Sequence, residues 1–186
     1  MKSAGKDPAA SELAAEAEKE FDKALSLNPR NAEAVVSYAW LELKQQKPRA
    51  ALELLRRALN AGVDDPDLEL ALGTVKAALE DPAGAAAAFD RSLALNPRSA
   101  QAHEAAGRNA YQRKDVRAAA EHYEKALALE PTAALARTLG SIRLYDLRDR
   151  QGALKAYRMA LELDPAGDDA PVLRQLIAEL QLPASP

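Results

Sequence analysis

Residues 100–133 read AQAHEAAGRNAYQRKDVRAAAEHYEKALALEPTA, and this stretch decides the fold. Ala119, Tyr123 and Ala126 fall at i, i+4 and i+7, which is one face of an α-helix. Pro131 closes the segment, because proline cannot continue a ladder of helical hydrogen bonds. Upstream, Ala106-Gly107 and Tyr111 mark a second amphipathic stretch. A glycine inside a helix costs about 1 kcal/mol against alanine, so its presence predicts that another backbone approaches closely there.

The same pattern recurs every 34 residues on both sides. One column reads Ala17, Ala51, Ala85, Ala119, Ala153. Four residues on stand Phe21, Leu55, Phe89, Tyr123 and Tyr157. Further columns are Ala24, Ala58, Ser92, Ala126, Ala160, then Leu25, Leu59, Leu93, Leu127, Leu161, then Pro29, Val63, Pro97, Pro131, Pro165. Leu72-Gly73 and Leu139-Gly140 repeat the small pair of the upstream stretch, with Tyr38-Ala39 in that slot of the first complete unit. Alanine supplies 43 of 186 residues, so five alanines in one column have a chance probability of about 6 in 10,000. Periodicity, not composition, is the source of the pattern.

The alanine content points to an all-α protein whose helices approach closely. Start signals agree: Asp7-Pro8, Asp65-Pro66 and Asp81-Pro82 place an acceptor before a first-turn proline, and Asn31, Ser99 and Thr132 can cap other helices. The spacing predicts helices over 8–27, 32–46, 48–61, 66–79, 82–95, 100–114, 116–129, 133–148, 150–163 and about 169–181.

The repeat resembles the tetratricopeptide repeat family, in which helix A carries a large residue, Leu-Gly and an aromatic, and helix B carries Ala, an aromatic, Ala and a closing Pro. The fourth unit follows it best, with Gly107, Tyr111, Ala119, Tyr123, Ala126 and Pro131. The register runs from residue 17 to residue 165. The resemblance implies a right-handed α-solenoid of antiparallel helix pairs, about four and a half units plus a capping helix. The expected segments are a disordered tail at 1–7, a partial repeat of helix B alone at 8–31, and repeats at 32–65, 66–99, 100–133 and 134–167. A C-terminal cap at 168–182 and a tail at 183–186 follow. Three departures stand out. The second unit closes on Val63 after a turn at Gly62. The fifth has Leu139-Gly140 one residue early, so its A–B turn is expected to be one residue longer. The first lacks helix A, which leaves Leu13, Ala14, Ala17 and Phe21 as an open edge, from truncation of a longer array or for self-association. In the cap, Val172, Leu173, Leu176, Ile177 and Leu180 form the expected apolar stripe.

The resemblance further implies that helices A line a concave groove for peptides, without enzymatic activity. Helix A positions give Glu33, Val36, Trp40, Leu43 and Lys44, then Asp67, Leu70 and Thr74, then Glu104, Arg108, Tyr111 and Gln112, then Arg137, Ser141 and Tyr145. Affinity is assigned to Trp40, Val36 and Leu70, and orientation to Arg108. Each has an alternative: Trp40 burial, an Arg108 pair with Glu104 at i−4, and packing for Tyr111. One branch of the family clamps chaperone tail carboxylates with Lys and Asn. Val36 and Trp40, or Leu70 and Thr74, stand at those positions here, so chaperone-tail binding is not expected.

Other classes are disfavoured. There is no cysteine, hence no disulfide framework and no thiolate site. A net charge of −3 and a pI near 5.5 argue against nucleic acid. No apolar run approaches the ~20 residues of a membrane helix, and Met1 to Asp7 has no signal-peptide pattern, so cytoplasm and periplasm both remain open. His103 and His122 are nineteen residues apart, outside any metal-ligand spacing. His103 is expected to pack and His122 to face outward or edge a pocket. No phosphate loop or nucleophile elbow occurs, so neither cofactor nor enzyme activity is expected. The leading expectation is an interaction scaffold with a protein or peptide partner. The alternatives are self-assembly through the N-terminal edge, a bacterial secretion or pilus assembly factor, and a regulatory domain of a larger enzyme.

Overall fold

A computed structural model describes residues 8–28 and 30–182. The expected tails at 1–7 and 183–186, Asp7 and Pro29 lie outside the described residues, as does the side chain of Ala14. The fold is all-α, a tandem helical repeat. Its helices are α1 (Pro8–Leu27), α2 (Ala32–Lys44), α3 (Pro48–Asn60), α4 (Pro66–Ala78), α5 (Pro82–Leu95), α6 (Ala100–Gln112), α7 (Val116–Leu129), α8 (Ala133–Ser141), α9 (Arg150–Leu163) and α10 (Ala170–Gln181). A π-helical turn, Ile142–Asp146, continues α8. The helices form two compact units, one ending at Leu95 and one beginning at Asn96.

The starts of the helices follow from their caps. Asp65 Oδ1 accepts from the N–H groups of Asp67 and Leu68, and Asp81 Oδ1 accepts from Gly84. Asn31, Ser99 and Thr132 accept from Ala34, Ala102 and Leu135. Each satisfies a donor that the first helical turn leaves orphaned.

Helix A and helix B of each hairpin meet through the small-residue columns. Ala51, Ala85, Ala119 and Ala153 are fully buried. What approaches the helix A glycine is an aromatic ring of its own helix B rather than a backbone. A Cβ on Gly73 would stand 2.4 Å from Phe89 Cε1, and one on Gly140 would stand 2.6 Å from Tyr157 Cε1. The ring lies flat where a methyl would be, which corrects the sequence expectation of backbone approach at these two positions.

Helix A turns into helix B through one residue of left-handed backbone. These residues are Gln46, Glu80, Lys114 and Arg148, with φ of 61°, 60°, 66° and 58°. They are again 34 apart, and none is glycine. The N–H that follows each returns to a carbonyl of helix A: Lys47 to Glu42, Asp81 to Lys76, Asp115 to Ala110, all 2.8–2.9 Å. This is the 6→1 closure that a left-handed C′ residue permits. In the fifth unit Asp149 returns to Arg143 at 2.7 Å, spanning one more residue. The extra residue is therefore not in the turn, as the sequence suggested. It is wound into the π turn, where Leu147 N–H donates to Ile142 O at 3.1 Å. Both ends of that helix are pinned, by Gly140 under the Tyr157 ring and by the Arg148 turn, so the surplus bulges between them.

In the first unit the core is Val35, Ala39, Leu55, Leu68, Leu72 and Val75 with the small columns. α4 packs against α2, α3 and α5, and every residue from Leu68 to Gly73 is buried. Glu69 is only 5 % exposed; Arg91 grips it bidentately at 2.8 and 3.0 Å. In the second unit Tyr123, Leu127, Leu135, Leu139, Ile142 and Tyr157 form the core, and α10 closes it with Leu173 and Leu180. Val172 is 58 % exposed, so the docked stripe of α10 omits it. Arg150 holds the far end of α10 by donating to the carbonyls of Glu179, Leu180 and Leu182. Cationic donors at a helix C-terminus satisfy orphan carbonyls and suit the dipole.

Gly73→Ala should destabilise the protein by about 1–3 kcal/mol despite the better helix propensity of alanine, because the Phe89 ring must move. Urea unfolding of the purified variant measures this, and an unchanged midpoint would contradict the ring contact.

Candidate functional site

The helix A residues expected to face a partner divide between the two units. In the first, Val36, Trp40 and Leu43 are half-buried and pack against the core cluster, while Glu33, Lys44 and Asp67 are exposed. Leu70 is 3 % exposed. This corrects its expected role as a contact: α4 is apolar nearly all round and is enclosed on several sides, as such helices are. Thr74 is half-buried, and its hydroxyl donates to Leu70 O at 3.0 Å.

In the second unit the helix A residues form a connected polar surface. Arg108 Nη2 donates to Glu104 Oε1 at 2.8 Å, the i−4 pair weighed from sequence. Arg108 also hydrogen-bonds the phenol of Tyr123; burial pushes that phenol's pKa up and Arg108 opposes the shift. Tyr111 is 40 % exposed, not packed as the alternative reading held, and its hydroxyl donates to Asp146 Oδ2 at 3.2 Å. Tyr145 is 59 % exposed. Gln112 is exposed. Ser141 Oγ donates to Arg137 O and stands 3.2 Å from the Tyr157 hydroxyl. Arg137 pairs with Asp169 just before α10, so its charge is already engaged.

The N-terminal edge is partly covered. Phe21 stacks on Tyr38 of α2 at 5.2 Å between centroids and 14° between planes. Gln45 and Lys47 both reach Glu18 Oε1, at 3.0 and 3.2 Å, and hold its carboxyl below the usual range. Glu42, 4 % exposed, is pushed up by burial; Lys47, 3.8 Å away, counters, and Glu18 and Asp22 add to the rise. Leu13 remains 68 % exposed and Ala17 half-buried.

The two histidines meet across the α6–α7 hairpin. His103 Nδ1 and His122 Nδ1 are 3.2 Å apart, and His103 Nε2 lies 3.2 Å from Pro97 O. A carbonyl only accepts, so neutral His103 carries its proton on Nε2, and its bare Nδ1 accepts from His122. Spacing read along the chain hid this contact. Counting outward from the Lys114 turn would have found it, because residues at similar distances on either side of an antiparallel hairpin face one another. Among the described residues, no three His, Asp or Glu side chains come together as metal ligands.

Models of the tetratricopeptide repeat match residues 9–74 and 70–134, together most of the chain. The chain is a tetratricopeptide repeat protein. Repeats of this family are generally non-enzymatic, and the function class of this chain is that of a protein-interaction scaffold. A comparison with curated proteins finds no match. Solved structures share the fold. MamA aligns at a TM-score of 0.73 and 21 % identity, over 89 % of this chain and 96 % of its own. YrrB, described as a tetratricopeptide repeat protein with an unusual peptide-binding site, aligns at 0.68 and 23 %, over 90 % and 86 %. PilW, described as a type IV pilus biogenesis factor, aligns at 0.75 and 19 %, over 89 % and 77 %. Among the described residues no helix is long and apolar enough to cross a membrane.

Burial lowers the pKa of His103 below its ordinary 6.5, with Pro97 O opposing and Lys125 adding to the fall. The unfolded chain therefore takes up this proton first. Stability should fall as pH drops below about 6.5. Denaturation midpoints at pH 7.0 and pH 5.5 should differ less in His103→Gln than in the wild type, and equal differences would contradict the buried neutral imidazole.

Proposed function

We propose that the helix A surface of the second unit holds a segment of a partner protein, with Tyr111 and Tyr145 as its anchors and the Arg108–Glu104 pair beside them. One observation carries this reading. Among the described residues, the aromatic side chains classed as exposed are these two, and both project from the helix A row. An exposed tyrosine offers large contact area at low entropic cost and keeps a polar tip, which is why aromatics concentrate at interface hot spots. Arg108 supplies a charge whose present partner is an exposed i−4 carboxylate, and such pairs are weak enough to exchange for a ligand group. In the first unit Lys44 with the half-buried Trp40, Val36 and Thr74 offers a smaller contact. The peptide site printed for YrrB agrees in kind. A role in secretion or pilus assembly would name a partner for this same surface, and the likeness to PilW is one of fold.

The test is affinity capture from the source lysate with mass spectrometry, comparing the wild type with Tyr111→Ser/Tyr145→Ser and with Val172→Ser as an exposed control. A protein recovered by wild type and control should fall about tenfold or more with the double variant, which circular dichroism should show to be folded. Equal recovery by all three would remove the surface from consideration.

A second reading rests on Leu13. It is 68 % exposed on a helix whose own helix A is missing from the pattern, and with Ala17 and Phe21 it can seat a second copy. Sedimentation should then show mass rising with concentration for the wild type and not for Leu13→Glu. A wild type of constant mass would end this reading.

A further inference from the structure

The first unit contains a cavity that shares no residue with the helix A surfaces. It has a volume of about 290 Å³ and lies among Leu25 of α1, Val35 of α2, and Leu54, Ala58 and Ala61 of α3, with Arg57 on its wall. Val35 and Ala58 are each 2 % exposed, so the floor is apolar and shielded from water. Its wall and surroundings carry positive charge. Arg57 is exposed and has no ion pair or side-chain hydrogen bond among the described residues. Arg30 is exposed and equally unpaired through its side chain, and its Nη2 lies over the bare face of Gly62, beside Ala61. The chain elsewhere pairs its half-buried cations: Arg91 with Glu69, Arg143 with Glu124.

Backbone carbonyls do not neutralise this charge. The last turn of α3 closes on itself, with Arg57 O, Leu59 O and Ala58 O accepting from Ala61, Gly62 and Val63. Gly62 makes this possible with a φ of 76°, and Val63 follows it where other units place proline. The second unit of the repeat thus departs from its neighbours at the residues that border the cavity.

We propose that this cavity binds a small aliphatic monocarboxylate, its branched apolar end among Leu25, Leu54 and Ala58 and its carboxylate on Arg57, with Arg30 as a second cation. A guanidinium presents a planar fork that matches a carboxylate, and the pair gains strength where water is excluded on one side. The volume selects the size. Pockets for drug-sized ligands begin at roughly 300 Å³, so this one admits a group about as large as a leucine side chain with its carboxylate.

The experiment titrates 4-methylpentanoate into the full chain and follows the methyl resonances of Leu25, Val35, Leu54 and Ala58 by NMR. Saturable shifts confined to these methyls are the expected result, with the uncharged 4-methylpentanamide binding about tenfold more weakly. Arg57→Gln, a surface change that leaves the apolar floor intact, should weaken the acid to the level of the amide, and Arg30→Gln should weaken it less. Methyl dispersion of each variant checks that it is folded. No saturable shift at tens of millimolar ligand would overturn the proposal, and so would equal binding of acid and amide. A peptide ending in leucine that bound at the same methyls more tightly than the free acid would also overturn it, by reassigning the site to a chain terminus.

Discussion

The contact of an aromatic ring with a bare helix A backbone, repeated hairpin by hairpin, is what the rest of the molecule depends on. Where Phe89 lies on Gly73 and Tyr157 on Gly140, there is no room for even a methyl group. That closeness lets the alanine columns bury completely. It also fixes the register of helix A on helix B, so the left-handed turn falls at the same place each time. Alanine cores contribute little apolar area per residue, and such a core is dense only if the helices nearly touch. The ring is the device that spaces them.

Much of this was legible in the sequence. The 34-residue columns gave the helix pairs, and the caps at Asp65, Asp81, Asn31, Ser99 and Thr132 gave their starts, because both are local signals. The nature of the close contact at Gly73 was not, since a column shows that space is scarce and not what fills it. The site was less readable still. Leu70 looked like a surface residue because helix A was read one face at a time, while α4 has neighbours on several sides. Tyr111 was read mainly as packing, and its partner Asp146 sits in a π turn that no pattern announced. The His103–His122 contact follows from the hairpin once the turn is placed.

The two units handle buried charge differently, and the difference follows from neighbours. Glu69 is paired through two hydrogen bonds to Arg91, so its burial is compensated. Glu42 has only Lys47, at 3.8 Å, and that lysine is shared with Glu18. One ammonium thus joins α1 to the end of α2, where a complete repeat would use another helix. The first helix is held by polar contacts and one stacked ring, and the later hairpins by apolar burial.

The π turn has a meaning beyond the fifth repeat. One residue added inside a helix of fixed ends turns everything after it by about 100° around the helix axis. Tyr145 therefore points along a different radius from the one its column assigns. A lineage of such arrays can reorient a single rung of its outer surface by inserting one codon, while every joint between rungs stays where it was. Change of that kind leaves the architecture untouched and alters only what the surface shows to others.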